Sequence, residues 1–174
     1  MSLYGSSVEY GLHCILSLVG PADSKPPSSR EMAEFQGVSP SYVAKLFTKL
    51  VQAGLVVSGE GISGGYRLAR DPARISVWDV VHALEGDKPL FECREIRRDC
   101  VLFDGDPPRW ATRGLCPIHA AMREAEARMR DSLKTVTLAD LAGQVSKSAP
   151  KAFLEQRTAW FAQRQSTRRD SKQS

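Results

Sequence analysis

Cys93, Cys100 and Cys116, followed by His119, are the residues whose types and spacing best suit chemistry. Six residues separate the first two thiols and fifteen separate the second from the third. A thiolate is both a soft metal ligand and a nucleophile, so such a set can hold metal or form a disulfide. Structural zinc sites are usually built on C-x2-C or C-x4-C knuckles, and the sequence has neither. Iron-sulfur ligation at uneven loop spacing, completed by a histidine or carboxylate, stays open. So does a thiol switch between Cys93 and Cys100, since a mobile loop could bring their Cα atoms within reach. Arg94, Arg97, Arg98 and Arg113 lie among these thiols and are expected to favour the thiolate. Cys14, the remaining cysteine, is read as a packed thiol.

Catalysis finds no such foothold. The histidines, His13, His82 and His119, form no H-E-x-x-H pattern, and there is neither a phosphate-binding glycine loop nor a serine elbow. The sequence therefore does not read as that of an enzyme, and His82 is taken as a structural histidine.

The cysteines must be positioned by what surrounds them. Residues 87–116 read as one long loop with Asp104-Gly105-Asp106-Pro107-Pro108 at its centre. Compact domains rarely keep so long an irregular segment without a use. Pro117 then stands at a favoured first helical position, and Ile118, Met122, Ala125, Met129 and Leu133 line one face of a helix through Lys134. With no obvious partner left in the chain, this helix is expected to pair with its twin in a homodimer, Ala121 and Ala125 allowing close approach. A short helix follows, so that 117–146 form a dimerisation segment. Residues 147–174 are polar and basic; Phe153, Trp160 and Phe161 could dock a last helix, and Gln163–Ser174 are expected to be disordered.

Residues 1–86 carry a second organised region. Val8, Leu12, Ile15, Leu16 and Val19 recur at helical spacing before Gly20-Pro21. On that helix Glu9 and His13 share a face and by themselves read as a surface pair. Arg30–Phe35 is a short helix and Gln36-Gly37-Val38 a turn. Ser39 and Pro40 open a second helix, the serine able to accept from a free helix N–H and the proline already helical in φ. Val43, Leu46, Phe47, Leu50 and Val51 make its apolar stripe, and Ser41, Tyr42, Lys45, Thr48, Lys49 and Gln52 the opposite face. No Asp or Glu occurs from Gly37 to Val57, so that face suits phosphates and base edges. Leu55–Val57 and Tyr66–Ala69 are strand-like about a Gly- and Ser-rich tip, a wing. A helix-turn-helix followed by a wing predicts DNA binding. The expected fold is mainly α with a small β-wing: a winged helix-turn-helix domain plus a long dimerisation helix.

A net charge of +4 over 174 residues and a pI near 9.0 permit a nucleic-acid partner without demanding one. No run approaches the ~18 apolar residues of a membrane span, and no secretion signal is evident. A cytoplasmic chain is expected, where structural disulfides are disfavoured.

The stretch VSPSYVAKLFTKLVQAGLVVSGEGISGGYRLAR, followed by SVWDVVHALEG and a cysteine loop ending in CPIHAAM, resembles the IscR, NsrR and RsrR family of winged-helix iron-sulfur transcription regulators. The resemblance covers roughly Leu3 to Leu141. It implies a cytoplasmic homodimer that binds a palindromic operator in double-stranded DNA, usually as a repressor, and a cluster whose redox state, nitrosylation or loss alters DNA affinity. By the family's pattern Ser39, Ser41, Tyr42 and Lys45 would meet groove and backbone, and Ser63, Gly64, Gly65 and Tyr66 would serve the wing. Arg30, Lys49 and Arg67 complete the candidate DNA-binding set.

The pattern is most similar to the RsrR type, with Val8–His13 as V-E-x-x-L-H, Phe91–Arg97 as F-x-C-x-E-I-R, and Leu115–Ile118 as L-C-P-I. That resemblance implies Glu9, His13, Cys93 and Cys116 as ligands of a 2Fe-2S cluster shared between subunits, 4Fe-4S being the lesser alternative. Cys100 and His119 are reserve ligands. The chain departs from the family in the fifteen residues before Cys116 and in Glu60, where many members place an arginine. Two other readings stand beside it: a cluster-free regulator whose thiols switch, and an iron-sulfur electron carrier or assembly protein.

Overall fold

The computed structural model of the chain describes residues 3–20, 25–59 and 64–170. These residues are mainly helical, with one two-stranded antiparallel sheet. They form two compact units: Met1–Gly86 together with Leu133–Ser174, and Asp87–Ser132.

In the first unit α1 (Ser6–Leu16) lies against α4 (Val77–Glu85). Gly11 makes that approach possible, because a Cβ there would run into Leu84 Cδ1. Helix α2 (Ser29–Gln36) starts with a reciprocal cap: Glu31 N–H donates to Ser28 Oγ at 3.2 Å and Ser28 N–H to Glu31 Oε2 at 2.7 Å. It ends on Gly37, whose φ of 66° and ψ of 30° reverse the chain into α3 (Pro40–Gln52). The apolar stripe of α3 puts Val43, Leu46, Phe47 and Leu50 into a core shared with Ile15, Met32, Val80 and Leu84. Strands β1 (Val56–Ser58) and β2 (Tyr66–Leu68) pair in the register Val56↔Leu68, Val57↔Arg67 and Ser58↔Tyr66. They form the base of the wing; Ser63 and Glu60 lie outside the described residues.

Two capped helix starts sit side by side in this unit. Val77 N–H donates to Val136 O at 2.8 Å and Leu138 N–H to Ile75 O at 2.9 Å, which joins α7 (Leu138–Ser148) to α4 and buries Leu138. The tail departs from expectation. Helix α8 runs Lys151–Asp170, so Gln163–Asp170 are helical and not disordered. Its anchors are tertiary: Trp160 and Phe161 pack on Phe35 of α2, with ring centroids at 5.3 and 5.0 Å. Arg164 pairs with Glu34 at 2.7 Å, and Gln165, buried, donates to Lys25 O at 2.9 Å. Such contacts leave no periodic stripe along the sequence, and so gave no signal for the helix's last turns.

In the second unit the segment expected to be a continuous loop holds two short 3-10 turns, Ile96–Asp99 and Val101–Phe103, and the one-turn helix α5 (Arg109–Thr112). Helix α6 (Pro117–Thr135) begins in this unit and has no buried residue. No helix among the described residues is long and apolar enough to cross a membrane.

Candidate DNA-binding face and thiol site

Helix α3 presents Ser39, Ser41 and Lys45 to solvent, with Arg30 likewise exposed in the first turn of α2. Ser39 was expected to cap α3 and does not: its Oγ lies 2.9 Å from Ser41 Oγ, and no side chain satisfies the first amides of the helix. The Tyr42 and Val43 amides instead donate to the Ser39 carbonyl, each at 3.1 Å, and the positive end of the helix dipole still favours an anion there. Tyr42 is half-buried, its ring edge-on to Tyr10 of α1 at 5.9 Å. Tyr66 packs on Phe47 at 4.6 Å, so its ring braces the wing against α3. Arg67 points to the opposite side of β2 and is exposed, and Gly64 is half-buried.

Two residues of the expected DNA-binding set also make contacts within the protein. Gly65 is buried, and a Cβ on it would strike the carbonyls of Pro26 and Pro27. Lys49 Nζ donates to Leu84 O at 2.6 Å, a cation on a carbonyl in the last turn of α4. Lys49 therefore ties α3 to the last turn of α4, which α1 also contacts through Gly11 and through the hydrogen bond of Ser7 with Glu85. We expect Lys49→Met to lower stability by about 1 kcal/mol while leaving the slope of log affinity against log salt unchanged. A slope shallower by about one unit would return Lys49 to the phosphates.

The second unit gathers the thiols. Cys93 Sγ, a Glu95 carboxylate oxygen and Cys116 Sγ all lie within 4.8 Å of one another. They line a cleft of about 520 Å3 with Phe91, Ile96, Arg97 and Ile118. Sequence reasoning placed Arg97 among the thiols but missed Glu95 as a member. Glu95 adopts φ 52° and ψ 35°, a left-handed conformation rare for a residue with a Cβ. Nothing in its residue type announces this. Its Oε1 accepts from Cys93 Sγ–H at 3.4 Å, and its Oε2 from Arg97 Nε–H at 2.9 Å. Arg97 Nη2 also donates to Gly114 O at 2.6 Å and so holds the approach to Cys116 beside Glu95.

The thiols differ in ionisation. The Glu95 amide pulls the Cys93 thiol down, but desolvation and the Glu95 carboxylate outweigh it and hold the thiol above its ordinary value. That is the reverse of the expected arginine effect. Cys116 is held below its ordinary value by the His119 amide first and the Ile118 amide with it, opposed by desolvation, with a weaker contribution from Arg97. The Glu95 carboxyl is held low by its hydrogen bonds from Arg97 and Cys93. Burial pushes Cys14, in the core of the first unit, up to about 11. Cys100 is not among the gathered donors, and His119 sends its backbone amide, not its ring, to Cys116; the ring lies 6.2 Å from that of Phe91. Glu9 and His13 are exposed on α1, in the first unit.

A family described as Rrf2, iron-dependent transcriptional regulator, matches residues 4–144. The chain belongs to the Rrf2 family. Protein rrf2 of Nitratidesulfovibrio vulgaris is 36% identical over 132 residues, 76% of this chain and 81% of that protein. The HTH-type transcriptional regulator IscR of Vibrio vulnificus is 32% identical over 136 residues, 78% of this chain and 74% of that one. Among solved structures, CymR (YrzC), the global cysteine regulator of B. subtilis, is similar with a TM-score of 0.59 and 29% identity, over 83% of this chain and 98% of that chain. This Rrf2-family chain is thus a winged-helix, DNA-binding transcriptional regulator, and the relatives it matches are regulators and not enzymes. Helix α8 lies beyond the residues matched to Rrf2.

Proposed function

We propose that this Rrf2 regulator is a homodimeric repressor that senses redox or nitrosative state through a 2Fe-2S cluster. What carries this is the juxtaposition of Cys93 Sγ and Cys116 Sγ, thiols from opposite ends of the cysteine segment, in one cleft. Their donor chemistry fits iron. The iron dependence in the family's description and the identity to IscR support the same reading. Glu9 and His13, on the exposed face of α1, would complete the ligand set from the other subunit, as in the RsrR type. When bound, such a cluster supplies a one-electron centre that is also altered by nitric oxide or iron loss.

The chain's own residues set the rest. Arg97 holds Glu95 and the Gly114 carbonyl, and so keeps the two cysteine-bearing stretches together. Helix α6, with Ile118 exposed and Met122 and Met129 half-buried, offers the face for its twin. Operator half-site spacing would follow the separation of the two α3 helices, with Ser39, Ser41, Tyr42 and Lys45 at the groove and backbone.

A cluster-free thiol regulator is the second reading, favoured by the likeness to CymR. Anaerobic purification with visible absorption, iron and sulfide counts, then operator mobility shifts at one salt concentration, separates the two. We expect coloured protein whose oxidised, reduced and cluster-free forms differ in operator affinity by about tenfold. Equal affinities overturn the sensing role, and colourless, iron-free protein that still shifts DNA leaves the thiol regulator. A carrier or assembly protein would shift no operator.

A further inference from the structure

We infer that Cys93, Glu95 and Cys116 form a mononuclear site for a thiophilic divalent cation, zinc or ferrous iron, complete within one subunit. It concerns the cluster-free protein, shares two thiols with the reading above, and stands whether or not a cluster also assembles there. The donor set of that reading drew on α1; this one needs nothing outside the second unit.

The geometry is close to what a tetrahedral ion requires. With metal-sulfur bonds of about 2.3 Å and metal-oxygen bonds of about 2.0–2.2 Å, neighbouring donors lie about 3.5–3.8 Å apart. The three donors here are within 4.8 Å of one another, so side-chain rotation alone closes the difference. Glu95 is held as a ligand carboxylate is held. Its left-handed backbone turns the side chain back onto Cys93, presenting Oε1 to the thiol, while Oε2 is occupied by Arg97. An outer-shell guanidinium on the non-coordinating oxygen is the arrangement that orients carboxylate ligands in metal sites. Cys116 stands immediately before α6, whose first residue is Pro117, so the third donor is set at a fixed helix start.

Charge and space agree. Two thiolates and one carboxylate carry three negative charges, which one divalent cation and the Arg97 guanidinium balance. The cleft beyond Oε1, walled by Phe91, Ile96 and Ile118, leaves room for a fourth, exchangeable ligand. An Arg97–Glu95 ion pair by itself would not require the carboxylate's other oxygen to face two thiols. Because the thiols are shared, a cation-loaded subunit cannot also ligate a cluster through them.

Cobalt(II) is the probe, titrated anaerobically into reduced, cluster-free, full-length protein. One ion per subunit is expected, with a near-ultraviolet thiolate-to-cobalt charge-transfer band and the intense visible bands of a tetrahedral ion. Glu95→Gln should weaken cobalt binding about tenfold or more, with far-ultraviolet circular dichroism and melting unchanged, and Glu95→Asp should keep a tetrahedral spectrum. Cys93→Ala and Cys116→Ala should each abolish it, whereas Glu9→Ala, His13→Ala and Cys100→Ala should bind as wild type. Wild-type affinity in Glu95→Gln, or loss of cobalt in the Glu9 and His13 variants, overturns the site. Iron-sulfide reconstitution of the same proteins keeps the questions apart. No cluster on wild type with cobalt still bound sinks only the cluster reading, and a cluster without the cobalt spectrum sinks only this one.

Discussion

Cys116→Ala is expected to purify colourless, with iron and acid-labile sulfide below about a tenth of the wild-type content. Cys116 is half-exposed, stands at the start of α6 and contributes nothing to the hydrophobic core, so its loss removes a donor without opening a cavity. Cys93→Ala should behave alike. Cys100→Ala should stay coloured, because Cys100 is not among the gathered donors. Cys14→Ala is the opposite case: a buried thiol pushed up to about 11 is a packing atom, and its removal should cost stability and leave the colour. Absorption, metal analysis and native mass on the four variants check this. Full iron in Cys116→Ala would defeat the two-thiol site.

Gly65→Ala is expected to lose about 3 kcal/mol of stability, near the top of the range for forced overpacking, and to weaken operator binding about tenfold as the wing base shifts. The reason is space. The added Cβ would meet the Pro26 and Pro27 carbonyls, which are backbone and cannot rotate away. The same strand is held to that loop by Tyr66 N–H donating to Pro27 O at 2.9 Å, and Gly59 N–H donates to Gly65 O at 2.8 Å across the wing. Moving Gly65 outward therefore strains both bonds and lifts the Tyr66 ring from Phe47. Gly37 sets the scale: a Cβ there meets no atom within 4 Å, and only its φ of +66° opposes substitution. Thermal melting and the operator shift, measured on Gly65→Ala, test both effects; an unchanged melt would mean that the loop yields freely.

Elements whose signals are local could be read from the chain alone. The stripe of α3 repeats every three to four residues, Leu55–Val57 and Tyr66–Ala69 flank a Gly- and Ser-rich tip, and Pro117 opens its helix. Patterns at that range depend on residue type and spacing and on little else. The helix-turn-helix, the wing and the helix after Pro117 followed from them.

Other features required the folded chain. Lys49 looked like a phosphate ligand because its helix face is cationic, yet it meets a carbonyl 35 residues away. Gly65 looked like a flexible tip residue and is the point where two loops touch. Ser39 had the right type for a cap and is turned to Ser41 instead. The end of α8 is held by a hydrogen bond spanning 140 residues. Glu95 joins the thiols through a backbone conformation that its residue type disfavours. Each depends on where separate elements come to rest against one another or on a rare local conformation, and spacing along the chain encodes neither. The sequence by itself determined the helix-turn-helix, the wing, the helix after Pro117 and the presence of a thiol-rich segment; tertiary structure decided what Lys49 and Gly65 touch within the protein and which carboxylate faces the thiols, because those contacts join residues far apart in the chain or rest on a rare backbone conformation.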